Sequence, residues 1–416
     1  QLSETTSQDL FVSEALKRLG PLVRQAELLA TQYDNVVANP PYMGARYYSP
    51  VLKKFVTDVF EAGKADLYGA FTLRNIQLAR ESGHVGMITI PNWMFLSSFE
   101  QFRDGIFENA PVKTLVHNGR GVWGSDFGSC SYVLQRAADQ RMCGRFLRLF
   151  DIPGSVSSNE ELERRFHVNS RFSTSNAEFR RIPGSPVAYW ASGAVRDAFE
   201  RAPSLSTIGE PKQGLATTEN AKYVRVWAEV GFPEIGFHLT SIEAALSSGM
   251  RWFPYNKGGA YRKWYGNQEH IVDWENDGAR IKADILRKYP YLKTPDFVAK
   301  NTSSYFKPSV SWSFVSSAYF GVRAYPGGFI FDVAGSSIFA DSQSISELTA
   351  FLCCSVAPRL MSYLNPTLNF QVGNVASLPV IHANGTSTLG NDCQAIAKND
   401  WDAYERSWDF QSLPLL

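Results

Sequence analysis
The chain has 416 residues, with 41 Lys and Arg against 40 Asp and Glu (formal charge +1), 44% hydrophobic and 13% aromatic residues. That length and balance fit about two to three globular domains and exclude a disordered chain or a strongly basic nucleic-acid tail, while leaving room for a local basic cleft. Five cysteines without CxxC spacing and six scattered histidines argue for reduced thiols and against a metal site, and no apolar run reaches the ~18 residues of a membrane span, so a cytoplasmic protein is expected.

In chain order, Leu10, Phe11, Ala15, Leu16 and Leu19, then Leu22, Val23, Ala26 and Leu28, recur at helical spacing. Gly20-Pro21 is expected to divide residues 1–30 into two helices. Val36-Val37-Ala38 reads as the end of a buried strand, broken by Asn39-Pro40-Pro41-Tyr42. Two prolines remove two backbone donors, fix φ near about −65° and extend the residue before them. Such a stiff turn suits two jobs. It is either a structural turn with a packed tyrosine, or a holder for the Asn39 side chain, the Pro40 carbonyl and the Tyr42 ring at the strand end, where open α/β sheets keep their ligand crevices. Two fixed acceptors and an aromatic plate fit a planar substrate with an exocyclic amine. Hydrogen bonds to that NH2 localise its lone pair for attack on an electrophilic methyl, so positioning and aimed dipoles carry the catalysis.

Pro50 to Phe60 is predicted helical, and Asp66 caps a helix that runs to about Glu81. Val85–Ile90, Val112–Val116 and Ser131–Gln135 are predicted strands, with a helix from Phe99 to Phe107. The alternation is that of the second half of a doubly wound α/β sheet. Residues 137–182 are dense in arginine and read as a connector to a second domain, their guanidinium groups facing either phosphates or nearby glutamates. Tyr189–Phe199 is predicted helical. Trp252–Trp274 interleaves aromatics with Lys257, Arg262 and Lys263 around Gly258-Gly259, which suits either DNA contacts or a loop packing inward. Val310–Phe314 and Ala318–Tyr325 are predicted strands, with Ser311, Ser313, Ser316, Ser317 and Arg323 as candidates to face DNA, the hydroxyls fitting ordinary strand edges as well. Ser344–Leu364 is predicted as one helix kinked at Pro358. Residues 383–399 read as a polar tail, followed by Trp401 and Trp408 on an arm expected to dock on a missing remainder of the protein. The expected domains are 1–136, a connector 137–182, a second domain 183–382 and a tail 383–416.

Asn39-Pro40-Pro41-Tyr42, Asp66-Leu67-Tyr68-Gly69-Ala70-Phe71, Gly83 to Pro91 and Gly119 to Gln135 resemble, in order and spacing, motifs of the N6-adenine DNA methyltransferases that use S-adenosyl-L-methionine. A narrower resemblance, to the adenine methyltransferases of bacterial BREX phage-defence systems, is carried by Asn39–Gly44, Asn92–Ser98, Tyr255–Gly259, Arg262–Gly266 and Leu364–Phe370. It implies a partial Rossmann-like methyltransferase domain followed by a mixed α/β target-recognition domain that opens at Gly214–Asn220, where Thr218 stands in place of a common glycine. It implies that Asn39 and Pro40 accept from the adenine N6, and that Tyr42 sandwiches a flipped base with Trp123, or with Phe127 as the runner-up. By the same resemblance Phe71 lies near the cofactor, although a helix-core role fits it equally. Asp66 touches the cofactor or simply caps its helix. Double-stranded DNA and other BREX proteins are the implied partners. The family's glycine-rich cofactor motif precedes Asn-Pro-Pro-Tyr, yet 38 residues precede Asn39 here and Gly20 is their only glycine. A fragment of a longer protein, inactive alone, is therefore expected. The alternatives are a methyltransferase of protein glutamine or RNA, and a DNA- or partner-binding module without catalysis.

Overall fold
The computed structural model describes residues 10–122, 128–137, 139, 141–150, 158–316, 319–366, 369–383 and 385–413. The chain forms two compact α/β units, Gln1–Ser192 and Gly193–Leu416.

The first unit runs α1 (Leu10–Ala30), β1 (Tyr33–Ala38), α2 (Pro50–Val59), α3 (Leu67–Leu78), β2 (Ala79–Thr89), α4 (Glu100–Asn109), β3 (Val112–Gly119), β4 (Ser129–Gln135), β5 (Cys143–Arg148), α5 (Asn159–Val168) and β6 (Arg171–Ser175). Its sheet has the order β1-β2-β4-β3-β5-β6. β1 is parallel to β2, β4 is antiparallel to both β2 and β3, β3 is parallel to β5, and β6 is antiparallel to β5. Side chains alternate across such strands. Val85 and Met87 of β2 and Cys130, Tyr132 and Leu134 of β4 point to one face, where they bury Tyr68, Trp93, Phe99, Phe102 and Ile106. Each such large side chain contributes about 2–3 kcal/mol when fully buried. Arg103, 1% exposed, donates to the carbonyls of Trp93 (2.9 Å), Leu96 (2.8 Å) and Gly184 (3.0 Å), which pins the turn that leaves β2. The other face is open. Val37 is 81% exposed, and a hollow of about 410 Å³ lies over Val37, Gly86, Ile88, Thr114, Val116 and Val133.

Three expectations change in this unit. Gly20-Pro21 does not divide α1, which continues through Pro21; the turn is exposed, so water can take the carbonyl that the proline leaves free. Residues 137–182 are not a connector, because β5 and β6 extend the sheet. Phe146 and Phe172 turn inward, while the arginines that masked the pattern lie between them or at the strand ends. Tyr189 and Trp190 pack on this unit's core rather than opening a helix, and α6 begins at Gly193 and ends at Arg201.

The second unit continues with β7 (Glu210–Lys212), α7 (Asn220–Tyr223), β8 (Val224–Val226), α8 (Ile242–Ser248), β9 (Trp252–Asn256), β10 (His270–Asp273), α9 (Glu275–Lys288), β11 (Ser309–Trp312), β12 (Val322–Tyr325), β13 (Ile330–Phe331), β14 (Ser337–Phe339), α10 (Ser342–Cys353), α11 (Val356–Leu364), α12 (Val372–Ala376) and α13 (Thr386–Asp402). It holds two four-stranded sheets, β13-β9-β10-β8 and β12-β11-β14-β7. The core centres on Phe253, Tyr255, Trp274, Ile281, Ile285, Tyr305, Phe306 and Phe331. Gly214 sits where a Cβ would overlap the Phe331 carbonyl oxygen, so its glycine is a close-approach requirement.

Two further expectations change here. The apolar helix breaks at Cys354-Ser355, and Pro358 falls in the first turn of α11, where a proline has no helical hydrogen bond to lose. The tail is neither unstructured nor free. Gly390 of α13 packs on Ala350 of α10, Trp401 is 1% exposed, and the Trp408 ring meets Phe237 (5.2 Å) and Phe329 (5.8 Å). Both tryptophans are thus used inside this unit.

Candidate functional site
The Asn39-Pro40-Pro41-Tyr42 turn leaves the carboxyl end of β1. Pro40 is buried, whereas Asn39, Pro41 and Tyr42 are exposed. The Tyr42 hydroxyl lies 3.1 Å from Asn39 Oδ1 and 3.2 Å from the Ile88 carbonyl of β2, so one phenol proton is shared between two acceptors. The Tyr42 ring stands edge-on to buried Tyr68 (6.2 Å), which stacks on Phe99 (5.4 Å). Burial first, and the nearby Cys130 second, raise the Tyr42 pKa, so the hydroxyl stays a donor at neutral pH.

Asp66 holds the following loop against α3. Its Oδ1 accepts from the Met43 amide (2.9 Å) and, as the helix cap, from the Tyr68 amide (3.4 Å). Leu67 N donates to the Met43 carbonyl (3.0 Å) and Ala45 N to the Ala65 carbonyl (3.1 Å). Burial raises the Asp66 pKa and the amide donors oppose the rise. Asp66→Ala should therefore cost about 1–2 kcal/mol through the lost cap and the freed Met43 amide, and Asp66→Asn should restore most of it. Denaturant titration checks this, and a loop that does not depend on Asp66 would show as unchanged stability of the alanine variant.

Phe71 lies on α3 with 41% of its surface exposed. Trp123 and Phe127 lie outside the described residues.

The four cations expected to meet DNA have other work. Lys257 Nζ pairs with buried Asp332 at 2.7 Å. Arg262 pairs with Asp400 (3.2 Å) and lies over the Trp401 ring (4.9 Å). Lys263 Nζ donates to the Cys353 carbonyl (2.8 Å). Arg323 is 0% exposed and donates to Ser313 Oγ (3.1 Å) and the Arg262 carbonyl (3.3 Å). This corrects the expectation for Arg323, which has no surface to offer a phosphate, and for Ser311 and Ser313, which are buried with it. What the same stretches leave outside is aromatic: Tyr261 and Tyr319 are 43% and 68% exposed. Among the described residues no cluster of metal-ligating side chains occurs.

Residues 6–123 match the family model of the Eco57I restriction-modification methylases. The match covers the part of the first unit that carries Asn39 and Tyr42. The chain is 33% identical, over 406 residues and 95% of its length, to the adenine-specific methyltransferase PglX of Lacticaseibacillus casei (strain Zhang). It is 33% identical, over 416 residues and 98% of its length, to the adenine-specific methyltransferase BrxX of Escherichia coli O9:H4 (strain HS). The resemblance drawn from the motifs thus holds over nearly the whole chain. The chain spans 33% of the length of each of these relatives. In fold it is similar to the Type IIL restriction-modification enzyme MmeI solved in complex with DNA (TM-score 0.56, 9% identity, 90% of this chain and 50% of that one). It is also similar to a nuclease-deletion mutant of the Type ISP enzyme LlaGI with a DNA substrate mimic (TM-score 0.51, 11% identity, 95% and 44%).

Proposed function
We propose that the protein containing this chain transfers a methyl group from S-adenosyl-L-methionine to N6 of adenine at specific sites in double-stranded DNA, as host marking within a BREX-type defence system. The observation that carries this is the Asn39–Tyr42 geometry: an exposed carboxamide oxygen, tethered by a phenol, at the end of a parallel strand. A duplex hides N6, so the target base is flipped out to reach it. The incoming NH2 donates to Asn39 Oδ1 and to the Pro40 carbonyl. The Tyr42 hydroxyl then donates to the Ile88 carbonyl alone, and its ring stays beside the base. No side chain need remove a proton before transfer, because the two acceptors localise the nitrogen lone pair.

S-adenosyl-L-methionine would supply the electrophilic methyl. Phe71 fits that cofactor, since an exposed ring on α3 can cover an adenine plane. Asp66 Oδ1 is committed to the Met43 and Tyr68 amides and fits less well. Phe71→Ala should weaken cofactor binding by roughly 10-fold, the scale of one aromatic contact, with the melting temperature unchanged; calorimetry on the full-length protein reads this, and equal affinity would assign Phe71 elsewhere. The first sheet is, on this proposal, the second half of a doubly wound Rossmann-like sheet. Support comes from the unpaired edge of β1 and the open face over Val37, which suit a sheet that continues past β1 under a second helical layer. The second unit acts as the target-recognition domain. The test is sequencing of N6-methyladenine in host DNA with and without the full-length gene. Methylation at one recurring site is the expected result, and an identical unmethylated pattern in both would overturn the proposal.

A further inference from the structure
Three loops of the second unit, distant in sequence, are tied together at one place. Ser313 Oγ donates to the Gly259 carbonyl (2.8 Å), which joins the β11–β12 loop to the β9–β10 loop. Trp264 N donates to the Val322 carbonyl (2.8 Å), and Arg323 bonds the Arg262 carbonyl beneath. The segment before α12 joins through Phe370 N to the Phe314 carbonyl (2.8 Å), through Trp312 Nε1 to the Phe370 carbonyl (2.8 Å), and through the Phe320–Phe370 ring contact (4.9 Å). Buried Arg323, Trp312 and Phe320 therefore form a rigid floor. On the outside, Tyr261 and Tyr319 meet edge to face at 5.8 Å, with Val315 59% exposed in the same loop as Tyr319.

We infer that Tyr261 and Tyr319 are the specificity-determining contacts of this unit, with base edges and sugars of double-stranded DNA as their ligand. The inference rests on the proposed methyltransferase function. Two exposed aromatics fixed to a rigid floor lose little side-chain freedom on binding, because a tyrosine has few rotatable bonds. Their rings take apolar groups such as the thymine methyl, and their hydroxyls both donate and accept toward base edges. Residues 257–266, 313–321 and 369–371 contain no Asp or Glu, and the Lys257 and Arg262 charges among them are already paired with Asp332 and Asp400; the loops therefore offer aromatic and backbone contacts to bases without a carboxylate of their own to repel phosphates. Asn267, Asn369 and Gln371 add amide heads around the same loops. Gly258 and Gly259 adopt φ of +78° and +114°, and Gly259 is exposed, so the backbone itself can approach a groove closely.

The test uses the full-length protein with Tyr261→Ala, Tyr319→Ala, the double variant and Asn39→Ala, against duplexes that carry the methylated site or a scrambled one. Loss of a contact to bases costs each tyrosine variant about 5- to 50-fold in preference for its site over scrambled DNA, with melting temperature and S-adenosyl-L-methionine affinity unchanged, because both side chains are exposed and outside the first unit. Asn39→Ala should keep the wild-type site preference while losing transfer. Unchanged preference in the double variant, with the wild type methylating normally, would overturn the inference and leave the function standing. Normal DNA binding with loss of methylation only in cells would assign the tyrosines to a protein partner and equally overturn it. A wild type that methylates no DNA would bring down the function on which the inference rests.

Discussion

Asn39→Ala in the full-length protein is expected to reduce methyl transfer by about 10²–10³-fold, the scale of one preorganised polar group acting on a developing charge. Binding of cofactor and DNA should persist. Asn39 is exposed, and the hydrogen bond from Tyr42 is one it shares with Ile88 O, so removal of the carboxamide leaves Tyr42 a partner and the fold intact. The loss should therefore fall on kcat rather than KM. Tyr42→Phe, which keeps the ring, should lose much less than Tyr42→Ala. Steady-state kinetics on a duplex substrate checks both, and a KM effect with normal kcat would reassign Asn39 to binding.

Acid should loosen the first unit by about 2 kcal/mol between pH 7 and pH 5, through one residue. His117 of β3 is 6% exposed, lies against Phe95 (6.3 Å) and edge-on to Phe150 (4.7 Å), and its Nδ1 has no hydrogen-bond partner among the described residues. Burial, and then the Arg148 charge, lower its pKa from 6.5 to about 3. The folded form keeps the ring neutral, while the unfolded chain takes up a proton below 6.5. Stability is thus fully present above pH 6.5 and declines as pH falls toward 3, by about 1.4 kcal/mol for each unit traversed. His117→Phe should flatten the profile. Hydrogen exchange of β3 and β5 amides at pH 7 and pH 5, corrected for intrinsic rates, measures it. An equal acid loss in the phenylalanine variant would place the sensitivity elsewhere.

What was legible in the sequence is what is local. The strand into Asn39, the proline break and the Asp66 cap depend on neighbours a few residues apart, and the structure has them. What was not legible depends on partners far along the chain. Lys257 meets Asp332 across 75 positions, Lys263 meets Cys353 across 90 and Arg262 meets Asp400 across 138. Nothing in a basic-aromatic stretch reveals that its cations are already engaged, so charge pointed to DNA where the exposed rings are tyrosines. The arginine-rich stretch hid two strands for a related reason. Arg145, Arg148 and Arg171 interrupt the apolar run, which leaves only the Phe146-Leu147 pair and Phe172 to show it. Trp401 looked like an arm for another body because the guanidinium groups of Arg262 and Arg406 that enclose it at 4.9 and 4.4 Å come from opposite sides in sequence.

The measurement that bears most directly on the central claim is the fate of a labelled methyl group. Full-length protein is incubated with methyl-labelled S-adenosyl-L-methionine and host DNA, and the digested nucleosides are separated. Label recovered as N6-methyladenosine of the deoxy series, abolished by Asn39→Ala, is the predicted result. Label on cytosine, on RNA or on protein glutamine, or label on adenine that survives Asn39→Ala, would contradict the account of how Asn39, Pro40 and Tyr42 act.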